Sequence, residues 1–149
     1  MNTEVTMTDN SSKVKKEVEQ ALYKAARMIG GTLEGHAKEY APVDTGLLRN
    51  SITFAIGGEP PAIASYRGND KNKNGQIVEK AEGSYAGVAP KDKKGEVTVY
   101  IGTNVKYAPF QELGAPSRNL PARPFIRPAI ENHTDEIEQI LEQNMRHIR

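Results

Sequence analysis

Residues 51–56 read SITFAI and residues 96–101 read EVTVYI. In the first stretch Ile52, Phe54 and Ile56 alternate with Ser51, Thr53 and Ala55; in the second Val97, Val99 and Ile101 alternate with Glu96, Thr98 and Tyr100. A period of two sends successive side chains to opposite faces, so each stretch reads as a strand with one buried face. The two are natural partners in a small, mostly antiparallel sheet, and Lys94-Gly95 supplies the turn into the second.

Upstream of this pair, Val14, Val18, Ala21, Leu22, Ala25, Ile29 and Leu33 recur at steps of three and four, which is one apolar helix face. The spacing predicts a helix from Ser12 to about Tyr40, roughly 43 Å long at about 1.5 Å per residue. Ser11 or Ser12 can cap its start, and Ala41-Pro42 ends it, because a residue before proline avoids the helical region. The polar residues 1–11 read as a disordered terminus. Gly30-Gly31 interrupts the periodic stretch; it marks a bend, a close-packing point against another helix or subunit, or a stop with a restart at Thr32.

Between the strands, residues 58–95 cluster Gly, Asn, Asp and Lys, with RGNDKNKNGQ at 67–76. So polar a stretch predicts an extended, mobile loop on a hairpin, with a third strand at 85–89. Seven basic and five acidic residues between Glu59 and Lys94 give it a charge of 7 − 5 = +2. For a loop that is mostly solvation, with DNA contact as the functional alternative.

Downstream, Tyr107, Phe110 and Leu113 predict a short helical turn ended by Gly114. A strap follows in which Arg118, Arg123 and Arg127 sit among Pro121, Pro124 and Pro128, with no acidic residue from Gly114 to Ile130. Prolines fix φ and remove donors, so the strap has a preset path. Pro128 suits the first position of a last helix, whose inward face is Ile130, Thr134, Ile137, Leu141, Asn144 and Ile148. Glu131, Asp135, Glu136 and Glu138 come early and Arg146, His147 and Arg149 late, the order that the helix macrodipole favours.

Composition sets the frame for these elements. The 149 residues fit one domain, residues 12–149, with a modest core. A hydrophobic fraction of 37% with mean hydropathy −0.62 leaves little apolar surface to spare, which suits long helices that finish their burial against a partner. The net charge of +1 argues for no overall field toward nucleic acid or membrane. With 0 Cys there is neither disulfide framework nor thiolate metal site, as suits a cytosolic place of assembly. Apolar runs fall well short of the roughly 20 residues that span a bilayer, and the polar start lacks the apolar stretch of a signal peptide.

Catalytic chemistry is thin. No two of His36, His133 and His147 lie three or four residues apart, so no metal-binding spacing appears, and His36 between Glu34 and Lys38 reads as a solvated side chain. Asp44-Thr45-Gly46 matches the tripeptide of aspartic proteases, but that chemistry needs a second, equivalent Asp. Locally, Asp44 caps the backbone, Thr45 orders the turn and Gly46 takes a conformation closed to other residues. Gly-rich phosphate loops and the GxSxG elbow are absent from the sequence. The expectation is a non-enzyme without cofactor.

Three blocks stand out in order: PVDTGLLRNSI (42–52), IGTNVKYAPFQELG (101–114) and LPARPFIRPAI (120–130). Together they resemble the tail-completion, or head–tail joining, family of long-tailed bacteriophages. In that family an Asp-Thr-Gly-x-Leu-Arg-x-Ser-Ile block, a Tyr-Ala-x-x-x-Glu-x-Gly block and a Pro-Ala-Arg-Pro-Phe-Ile/Leu-Arg-Pro-Ala block occur in the same order. The resemblance covers residues 41–130 and marks Asp44, Thr45, Gly46, Arg49, Tyr107, Glu112, Gly114 and Phe125 as motif residues. It implies a structural virion protein of the neck, at the head-proximal end of the tail, made in the host cytoplasm. Such proteins complete tails and join them to heads as symmetric rings, commonly sixfold. The implied partners are tail-tube, tail terminator or head-closure proteins, with DNA passing through the ring.

Within that frame Glu112 is expected to pin the strap through Arg49 or Arg123, inside the domain or between subunits. The strap (+3) and the last helix (five acidic, two basic, hence −3) carry opposite charge. Arg118, Arg123 and Arg127 facing Glu138 and Glu142 therefore make a candidate head-to-tail interface. The rival is a small DNA-binding or regulatory protein using Lys71, Lys73, Lys91, Lys93 and Lys94. The fold expected in either case is α+β, with a long first helix and a last helix packed on the small sheet.

Overall fold

The computed structural model describes residues 11–146 and residue 148. The expected disorder of residues 1–11, and the late charges His147 and Arg149, lie outside these residues except for Ser11, which opens the first helix. The order is α1 (Ser11–Tyr40), α2 (Leu47–Ser51), β1 (Thr53–Ile56), β2 (Ser65–Lys71), β3 (Ile77–Ser84), β4 (Val99–Gly102), α3 (Ala108–Leu113), a 3-10 turn (Pro116–Arg118), α4 (Ile126–Glu131) and α5 (Thr134–Met145). This is the expected α+β arrangement. No helix of the described residues is long and apolar enough to cross a membrane.

Helix α1 runs unbroken through Gly30-Gly31. Gly30 is buried, and a Cβ there would overlap the Phe54 ring of β1, whereas Gly31 faces open space. Gly30 is thus a close-packing point, and what packs there within the chain is a strand's aromatic ring and not another helix. That approach sets α1 down on the sheet.

β1 and β4 pair antiparallel with Phe54 opposite Ile101 and Ala55 opposite Tyr100. The expected single buried face of β1 needs correction, since Thr53 and Ala55 are buried along with Ile52 and Ile56. Residues 62–63 run along the free edge of β1: Ala62 N donates to Phe54 O (2.8 Å) and Ile63 N to Thr53 Oγ1 (3.0 Å). Buried polar Thr53 is thereby satisfied.

The stretch expected as a loop without structure of its own carries an antiparallel hairpin, β2–β3, while residues 85–89, expected as a strand, form none. Its turn is built locally: Asn72 Oδ1 accepts from Asn74 N (2.9 Å) and Gln76 N (3.0 Å), and Gly75 takes φ 77°. Polar composition misleads here because the hairpin is held by its backbone and by docking, not by apolar surface of its own. A Cβ on Gly68 would lie 2.6 Å from Leu47 Cα, so the missing side chain lets β2 lie directly on α2. Asn50 Nδ2 donates to Arg67 O (2.7 Å) across the same contact, and the Tyr66 ring covers Gly83 opposite it.

The last helix is two helices. α4 ends at Glu131, Asn132 and His133 form a turn, and α5 starts afresh at Thr134. Pro128 is the third residue of α4 and not the first, which costs nothing because N–H groups of a first turn have no intrahelical acceptor. The break resets the helical phase and corrects the inward face. Ile130, Thr134 and Leu141 are exposed, and the half-buried residues of α5 are Glu136, Ile137, Ile140, Asn144 and Met145. The core gathers Ala37, Ala41, Leu47, Leu48, Ile52, Val105, Ala108, Phe125 and Ala129; none of it comes from α5.

Candidate functional site

The three sequence blocks converge on one cleft of about 450 Å³. Residues 42–46 and Leu48 form one wall, Tyr107 and Gln111 the second, and Arg123 reaches in from the strap. Each wall has a local cause. Gly46 takes φ 83° ahead of α2, the conformation that its place in the tripeptide predicts. Gly114, at φ 75°, ends α3, and a Cβ on it would meet Ala122 N at 2.8 Å, so the strap folds back against the end of that helix. Arg123 N then donates to Gln111 O (2.7 Å) and locks the second and third blocks together.

Glu112 is the pin, but not through a guanidinium. Its carboxylate accepts from Phe125 N (2.7 Å), Ile126 N (3.0 Å) and Arg127 N (3.0 Å), the free amides at the start of α4. Burial alone would raise its pKa; the three N–H donors and the nearby Arg127 charge outweigh that, so the carboxyl sits below its usual range. Of the two expected partners, Arg49 instead donates from Nε to Lys38 O (2.8 Å) at the end of α1, and Arg123 is tied through its backbone N to Gln111 O. Backbone amides win because the fully buried Phe125 ring fixes the start of α4 directly over the carboxylate.

Asp44 also departs from expectation. No side chain caps α2; Asp44 pairs with Lys71 Nζ at 2.5 Å and ties the first block to the hairpin. Thr45 lines the cleft. Of the strap arginines, Arg118 lies over the Phe110 ring at 5.2 Å, while among the described residues Arg123 and Arg127 make no ion pair. Glu142 pairs with Arg146 (3.3 Å) within α5, and Glu138 is exposed, so within one chain the strap and α5 charges do not meet. Lys73, Lys91, Lys93 and Lys94 are exposed.

Beside the cleft the surface is apolar. Tyr107, Phe110, Leu113 and Leu120 are all exposed, Leu113 at 65%, and Leu120 is bridged to Ala115 just after α3. The sequence placed Phe110 and Leu113 on a short helical turn; the structure forms that turn as α3 and leaves both side chains exposed.

A second cluster was missed entirely. His36 is not solvated: its ring stacks on His133 with centroids 3.4 Å apart, and its Nε2 donates to Glu136 Oε2 at 2.8 Å. The signal that could have found it is a repeated spacing, His36-x-x-Glu39 and His133-x-x-Glu136, on two separate helical segments.

Residues 6–114 match a family model described as "Bacteriophage HK97-gp10, putative tail-component", a span that holds the first two blocks and stops before the strap block. A 51-residue stretch is 35% identical to the uncharacterized protein MJ0331 of Methanocaldococcus jannaschii, covering 34% of this chain and 38% of that protein. The chain thus spans well under half of that relative's length. No solved structure matches the chain. The match over most of its length means that the chain belongs to the HK97-gp10-like family of bacteriophage tail components, whose role is structural.

Proposed function

We propose that the protein works at the head-proximal end of the tail, completing it and joining it to the head as a ring of identical subunits, in the virion. The observation that carries this is the surface beside the motif cleft. Phe110, Leu113 and Leu120 stand exposed, Arg118 lies over the Phe110 ring, and among the described residues Arg118, Arg123 and Arg127 make no ion pair. Apolar residues rimmed by unpaired charge are what a subunit contact requires. Helix α5 supports the reading, being acidic and buried at no position, so its burial is left for a neighbour. No reaction is part of this role. The DNA-binding alternative would rest on the exposed Lys73, Lys91, Lys93 and Lys94, since Lys71 is paired with Asp44.

Sedimentation at low and moderate salt tests it. The wild-type chain, alone or with tail-tube preparations, should form a closed oligomer that weakens as salt screens the exposed charges. Leu113→Glu should leave the melting temperature unchanged and abolish the oligomer. Reversal of Glu138 and Glu142 to Lys should do the same, with partial rescue by Arg118→Glu and Arg127→Glu. A chain that stays monomeric under every one of these conditions refutes the ring.

A further inference from the structure

We propose that His36, His133 and Glu136 form a site for one divalent transition-metal ion, zinc being the natural occupant, that bolts α5 to α1. One ligand atom from each of the three residues lies within 4.8 Å of the others. His36 Nε2 (2.8 Å) and His133 Nδ1 (3.5 Å) both face the same Glu136 oxygen. Two imidazoles and one carboxylate, with a position left open, suit a borderline ion such as Zn(II) better than a hard cation.

The outer ring nitrogens strengthen the case. His36 Nδ1 faces the Glu39 carboxylate at 3.7 Å, and His133 Nε2 faces the Tyr40 hydroxyl at 3.3 Å. A metal on the inner nitrogens leaves one proton on each outer nitrogen, aimed at an acceptor, which is how metal-bound histidines are normally held. Without a metal, two neutral rings that each give their proton to Glu136 can take the Tyr40 hydroxyl proton at His133 Nε2, but they leave His36 Nδ1 as a lone pair facing the Glu39 carboxylate. Two fully protonated rings would remove that clash but stack like charges at 3.4 Å. The ion resolves both problems.

Coordination must open the stack. The rings lie within 9° of parallel, and in-plane lone pairs on parallel rings do not converge. His133, in the break between α4 and α5, is the ring that has to turn, about its hydrogen bond to Tyr40.

The test is titration of the tag-free full chain with zinc chloride, followed by calorimetry and thermal melting. Expected is one ion per chain at micromolar affinity or tighter and a raised melting temperature. Affinity should fall about tenfold or more in His133→Ala and in Glu136→Gln, while His147→Ala binds as wild type. Glu136→Gln keeps a hydrogen-bond acceptor, so circular dichroism of that variant separates lost ligation from lost folding. Cobalt(II) in place of zinc should give visible absorption of a low-coordinate N,O site. Absence of binding, or binding undiminished in both ligand variants, overturns the site; so does a fall in stability in those variants without any zinc effect on the wild type.

Discussion

At the scale of single residues, two positions decide how the parts fit. Gly30 and Gly31 are adjacent in α1 but face different surroundings, a ring and open space. Gly31→Ala should therefore stabilise by about 0.5–1 kcal/mol through helix propensity, whereas Gly30→Ala must push Phe54 aside and should cost about 1–3 kcal/mol; urea unfolding of both reads the contrast. Glu112→Ala strips three amides of their acceptor and should cost about 1–3 kcal/mol. The depressed carboxyl gives that interaction a pH signature. Its stabilisation is complete above the ordinary carboxylate pKa and disappears as pH falls through the lower folded value. The melting-temperature gap between wild type and Glu112→Gln should accordingly be constant near neutrality and close in acid. Sequence could single out Glu112 because its block did, yet it named guanidinium partners; only the fold puts backbone amides there.

At the scale of elements, what was legible followed from periodicity. The alternation in 51–56 and 96–101 found the β1–β4 pair, and the three-and-four steps found α1, because both patterns record burial in the chain itself. The β2–β3 hairpin left no such record. Its order comes from Gly68 lying on α2, a contact that no local pattern encodes. Gly68→Ala cannot be relieved by a rotamer change, since the nearest atoms are Leu47 backbone. Hydrogen exchange should show β2 and β3 losing protection while β1 and β4 keep theirs. The break at Asn132-His133 is equally hidden: neither residue is a proline or glycine, and the three-and-four spacing of Ile130, Thr134, Ile137 and Leu141 runs straight across it. Phe125→Ala, which empties a fully buried site under the strap, should cost about 3–5 kcal/mol.

At the scale of the whole molecule, the three blocks read as separate motifs turn out to be one place, the cleft beside α3. Their order in the sequence identified the family; their meeting point could come only from the structure. The exposed turn at residues 72–76 should be the first site of limited proteolysis, with a first cut in β4 as the contrary outcome. The absence of any buried residue in α5 has one more consequence. A helix that contributes nothing to the core adds little to the cooperative unfolding of the rest, so it should fray at temperatures where α1 and the sheet are intact. Subunits that shelter α5 on assembly would recover that missing stability from each other. The heat resistance of this protein then ceases to be a property of the chain alone and climbs with its concentration.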